Sequence, residues 1–172
     1  LVCENEKVIG IHRKLCLPTY GMFEEGRYFA PGDQLKSFDL TWGRLGIVIC
    51  EDAWYPELVM KFNGSGLDML AILSASPVRG ITHDGGITNV NTNTELTRFY
   101  TRNLRVPVIF LNKPGFENGI CFWGGSAAFS YEGKLINRAS LIEEDLVITD
   151  IELENDINDK KKNRLNEENG TN

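Results

Sequence analysis

The chain has 172 residues, 42% of them apolar and 24% charged, and a formal net charge of −6. That length holds one globular domain, with no room for a second. The negative balance argues against a nucleic-acid surface and no stretch nears the roughly 18 apolar residues of a membrane span, so neither partner is expected.

In chain order, Val8 to Ile11 reads as a first strand. Two polar-aromatic segments follow, His12-Arg13-Lys14-Leu15-Cys16-Leu17-Pro18 and Phe23-Glu24-Glu25-Gly26-Arg27-Tyr28-Phe29, closed by a turn at Pro31-Gly32-Asp33. Leu45 to Ile49 is β-branched and apolar, as a strand buried on both faces should be, and it ends at Cys50 where Glu51-Asp52 are expected to open a helix. Tyr55 to Asn63 carries Leu58, Val59 and Phe62 on one helical face, and Pro56 suits a first turn. Met69 to Leu73 is the next strand, Gly80 to Gly86 a mobile loop, and Val90 to Asn103 a second helix. Val106 to Leu111, Ser126 to Ser130 and Leu146 to Ile151 are read as strands, with Gly115 to Gly125 a long connection.

Strands alternating with helices define an α/β layered sheet over residues 1–151. Beyond, residues 152–172 lose almost all apolar character and read as a polar C-terminal tail. No basic-then-apolar leader pattern follows Leu1, and a cytoplasmic location is expected.

Cys3, Cys16, Cys50 and Cys121 form no C-x-x-C pair, and His12 and His83 complete no metal-ligand spacing. Reduced thiols, no metal and no cofactor are therefore expected. A cysteine after an apolar strand is more often an inert core thiol than a nucleophile. At the mouth of a strand beside backbone N–H groups and an ammonium, however, a thiol is placed to attack a carbonyl or nitrile carbon.

These segments resemble the nitrilase superfamily, the carbon–nitrogen hydrolases that act through a Glu-Lys-Cys triad. Lys14, Leu17 and Pro18 match the family's lysine segment, with Cys16 where histidine is usual. Phe23, Glu25, Arg27, Tyr28 and Phe29, then Pro31-Gly32, match the second-glutamate segment, and Gly46 and Cys50 match the nucleophile strand. The likeness continues through Ser74-Ala75-Ser76-Pro77, Asn112-Lys113-Pro114-Gly115 and Phe122-Trp123-Gly124-Gly125-Ser126.

The resemblance implies an α-β-β-α sandwich, with Cys50 the nucleophile, Lys14 and the Glu51 backbone N–H stabilising the oxyanion, and Glu25 near the lysine and substrate. By likeness to glutamine-hydrolysing relatives, Tyr20 and Phe23 are expected near the substrate, and Glu51 and Ser76 are expected to bind it with Tyr20. The family's general-base glutamate lies upstream of the lysine segment and has no match here, which implies a fold incomplete at the N-terminus and a missing N-terminal segment as partner. The expected activity is that of an amidase cleaving a small amide to acid and ammonia through a cysteine thioester, in a homo-oligomer. Cys50-Glu51-Asp52 with Trp54 is also similar to the glutaminase domains of glutamine-dependent NAD synthetases, one alternative. A non-catalytic interaction subunit lacking the base is the other.

Overall fold

A computed structural model describes residues 1–153. Two short strands open the chain, β1 (Val2–Glu4) and β2 (Lys7–Gly10), joined by Asn5 and Glu6, both at positive φ. The lysine and glutamate segments then run as loop, broken by one helical turn, α1 (Glu25–Tyr28). The main sheet begins with β3 (Ser37–Leu40) and β4 (Gly43–Ile49). A 3-10 turn, Cys50–Trp54, and the short helix α2 (Pro56–Val59) lead to β5 (Met69–Ser74). The long helix α3 (Thr88–Leu104) crosses back to β6 (Val108–Asn112). A hairpin, β7 (Pro114–Glu117) and β8 (Ile120–Trp123), precedes β9 (Ala127–Phe129) and β10 (Leu135–Arg138).

Six strands form one mixed sheet in the order β10-β9-β6-β5-β4-β3, with β4, β5 and β6 parallel at its centre. The class is α/β, as expected. Register explains the layering. Val48 pairs with Ile72 and Ile72 with Phe110, so these three side chains share a face. On it Val59, Phe62, Tyr100 and Trp123 close a buried core. Gly46 also lies on this face, where a Cβ would come within 3.1 Å of the Phe62 ring and 2.9 Å of Leu67. The opposite face carries Ile49, Leu73 and Leu111 in register. There Leu73 and Leu111 remain 39% and 44% exposed, so this apolar face is only partly covered.

The structure adds strands β1, β3 and β10 to the sequence reading, splits the helix expected over Tyr55 to Asn63 into α2 and a 3-10 turn at Met60–Phe62, and departs from that reading at three further places. Leu146 to Ile151 pairs with no strand, and Leu146 and Ile148 stand exposed. Alternating apolar residues do not make a strand where no neighbouring backbone accepts the hydrogen bonds. The connection Gly115 to Gly125 is instead mostly the β7–β8 hairpin, turned by Asn118 and Gly119 at positive φ. Glu51-Asp52 belong to a 3-10 turn rather than to an α-helix start. Of the polar tail, residues 154–172 lie outside the described residues.

Candidate active site

The parallel strands β4 and β5 end side by side, and the chemistry gathers at their C-terminal ends, where α/β sheets commonly bind ligands. Cys50 follows the last residue of β4 with φ +49°, in the left-handed region that costs a non-glycine residue roughly 1–2 kcal/mol. Such strain is characteristic of a nucleophile held at a sharp turn after a strand. Ser74, at the end of β5, donates its hydroxyl to Cys50 Sγ at 3.4 Å.

Lys14 reaches the site from the loop after β2. Its Nζ donates to both Glu25 oxygens at 2.7 Å, and the lysine side chain is only 13% exposed. The loop is seated by Gly32, whose N–H donates to the Lys14 carbonyl at 2.7 Å. A Cβ at Gly32 would stand 2.6 Å from the Arg13 carbonyl oxygen, so the approach requires glycine. Lys14, Glu25, Cys50 and Ser74 line one cleft of about 1110 Å³ with Phe23 and Phe122.

A second recess, about 470 Å³, opens on the other side of Cys50 and Phe23 and is lined by Tyr20, Glu51, Ser76 and Arg79. Tyr20 Oη donates to Glu51 Oε2 at 2.7 Å. Burial, and then the Glu51 carboxylate, push the Tyr20 phenol up, partly opposed by Arg79. The Arg79 guanidinium sits 6.0 Å from the Tyr20 ring centre and 5.9 Å from that of Phe23, within cation–π range. Two buried asparagines shape this wall. Asn89 donates to Ser76 Oγ at 3.1 Å and to the Pro77 carbonyl at 2.7 Å, and accepts the Arg79 N–H. Asn112 accepts the Ser76 N–H at 2.8 Å.

The five other side chains expected at a site thus fall around Cys50: Lys14 and Glu25 in one recess, Tyr20, Glu51 and Ser76 in the other. Sequence reasoning did not single out Arg79, Asn89 or Asp52. Arg79, three residues beyond Ser76, was the accessible signal, as a cation beside an expected substrate contact. All four cysteines are free, and among the described residues no His/Cys/Asp/Glu cluster could hold a metal ion. Among them, no helix is long and apolar enough to cross a membrane.

A thiol at a strained strand end, beside a lysine–glutamate pair in one cleft, is the arrangement of a carbon–nitrogen hydrolase. Residues 1–158 match the family model described as carbon-nitrogen hydrolase, and the chain belongs to that family, within the nitrilase superfamily. It is 31% identical over 158 residues to the glutamine-dependent NAD(+) synthetase of Thermotoga maritima, covering 91% of this chain and 26% of that protein. It is 25% identical to the N-carbamoylputrescine amidase of Solanum lycopersicum, covering 85% of this chain and 51% of the relative. The chain therefore spans about a quarter of the length of the synthetases it matches. Among solved structures, a carbon-nitrogen hydrolase from Helicobacter pylori G27 superposes with a TM-score of 0.80 at 26% identity, over 92% of this chain and 57% of that one. The glutamine-dependent NAD+ synthetase of Acinetobacter baumannii gives 0.75, also at 26% identity, over 84% of this chain and 26% of that one.

Proposed function

We propose that this domain hydrolyses the side-chain amide of glutamine through a thioester on Cys50. The observation that carries this reading is the pair of recesses meeting at Cys50. One presents Lys14 and Glu25, and the other sets the Glu51 carboxylate and the Arg79 guanidinium around an aromatic wall. A free amino acid carries an ammonium and a carboxylate at one end and an amide at the other. Glu51 and Arg79 complement the first end, and Cys50 meets the second. Similarity to glutamine-dependent NAD(+) synthetases at 31% identity supports the same substrate.

In the reaction, Cys50 Sγ bonds to the amide carbon while Lys14 and the Glu51 backbone N–H stabilise the oxyanion. The C–N bond breaks, ammonia leaves with the thiol's proton, and water then attacks the thioester to give glutamate and free thiol. Both Glu25 oxygens accept from Lys14, so Glu25 serves to hold the lysine. The proton carrier is proposed to be a second carboxylate on a segment preceding Leu1. Ammonia released here would be passed to a synthetase acting with this domain.

A free-standing amidase acting on another small amide, also expected from sequence, is the second reading, favoured by the TM-score of 0.80 to the Helicobacter pylori carbon-nitrogen hydrolase. Protection of Cys50 from iodoacetamide separates the two. Under the first reading glutamine protects and propionamide does not. Equal protection by both, or protection by propionamide alone, would overturn the glutamine reading.

A further inference from the structure

Asp52 has no part in the chemistry above, yet its side chain is fully buried directly beneath the site. Its Oδ1 accepts the backbone N–H groups of Leu15 at 3.0 Å and Cys16 at 2.7 Å. Its Oδ2 accepts the N–H of Ile49 at 3.0 Å. Leu15 directly follows Lys14, and Ile49 directly precedes Cys50. One carboxylate therefore ties Leu15 to Ile49, 34 residues apart, immediately beside the ammonium on one segment and the thiol on the other. His12 backs it from below, with Nε2 4.0 Å from Oδ2, too far for a hydrogen bond but near enough to act as a charge neighbour when protonated.

Two features make this more than an ordinary buried acid. Cys50 sits in the left-handed region, so the turn that aims its thiol must be held from outside, and the Ile49 N–H bond lies at that turn. The lysine segment has no strand partner of its own between Gly10 and Ser37, and is fixed only by scattered contacts, of which the two to Asp52 join it directly to the nucleophile turn. Resting on the thiol reading above, we propose that Asp52 is a positioning residue that sets Lys14 relative to Cys50, so that the lysine's effect on the thiol passes through this carboxylate.

The test is a double-mutant cycle on the full chain, reading the rate of Cys50 alkylation by iodoacetamide across pH. Asp52→Asn keeps shape and one acceptor but loses the second acceptor and the charge. It is expected to slow Cys50 alkylation about tenfold, as a small misplacement of reacting groups does. In the Lys14→Ala background it should add nothing, the double variant reacting as slowly as Lys14→Ala alone. Val108→Ala, in the core at the start of β6, lowers stability without touching the site and should leave the pH–rate profile unmoved. Wild-type rates in Asp52→Asn, or independent and multiplying losses in the double variant, would overturn the positioning role while leaving the thiol reading intact. Equal alkylation of Cys3, Cys16, Cys50 and Cys121 in the wild-type chain would overturn both.

Discussion

Lys14 Nζ makes two 2.7 Å contacts to the two oxygens of Glu25, across 11 residues of irregular chain and on the wall of the cleft that holds Cys50. A bidentate pair at this burial orients the ammonium, because moving it breaks two charge-assisted bonds at once. Glu25→Ala should therefore reduce kcat for glutamine about a hundredfold with KM little changed, since it removes an orientation needed in the transition state. Glu25→Gln, which keeps one acceptor for Nζ, should recover part of the loss. Steady-state ammonia release measures both.

Arg79 faces the opposite recess with Glu51 and Tyr20. If it receives the carboxylate of the amino acid, Arg79→Gln should raise KM for glutamine roughly tenfold or more while leaving kcat nearly constant, since a charge-assisted bond contributes about 1.5–3 kcal/mol. Hydrolysis of propionamide, which lacks the charged end, should be unaffected. A parallel loss with both amides would mean that Arg79 supports the fold of the wall.

Burial alone would raise the Asp52 carboxyl, but the nearby His12 imidazole and the N–H groups of Cys16, Ile49 and Leu15 outweigh it and hold the group below its ordinary 3.8. The unfolded chain regains that ordinary value and so takes up the proton first as pH falls. The stabilisation is complete above about pH 4 and is lost as pH drops through the folded value. Urea unfolding should show wild type exceeding Asp52→Asn by roughly 2–3 kcal/mol at pH 7, with the gap closing toward pH 3.

Tyr100, fully buried on α3, donates its hydroxyl to the Ala53 carbonyl at 2.5 Å, pinning the helix to the turn that follows Cys50. Burial pushes its phenol up to about 12, with Glu57 adding to the shift. An unfolded tyrosine ionises near 10, so this contribution is intact below pH 10 and falls away as pH climbs toward 12. Tyr100→Phe should lose about 1–3 kcal/mol at pH 7, by leaving the Ala53 carbonyl unpaired, and should flatten the alkaline decline in Tm.

Much of this was legible from residues. The β-branched run Ile47-Val48-Ile49 and the apolar Met69 to Leu73 read as strands and do form the middle of the sheet, although burial on both faces, expected for the first, is incomplete, since the face that carries Ile49 and Leu73 is only partly covered. The β7–β8 hairpin lies within what reads as a long connection from Gly115 to Gly125, although Asn118-Gly119 is a strong two-residue turn signal. Leu146 to Ile151 has the composition of a strand, but pairing is a tertiary property that composition does not supply. At the site, Cys50, Lys14 and Glu25 stood out through motif order. Asp52 did not, because its importance lies in accepting backbone N–H groups from a segment 36 residues away, and backbone donors leave no trace in a sequence.

If Cys50 opens the amide of glutamine, intact-mass measurement after rapid quenching with glutamine captures the thioester it forms. It should be run on this chain, alone and with any residues encoded upstream of Leu1. A glutamyl adduct that maps to Cys50, and is absent in Cys50→Ser, is the predicted result. A folded protein that shows no adduct in either form, with Cys50 alkylating no faster than Cys3, would mean that Cys50 is not an activated nucleophile toward glutamine.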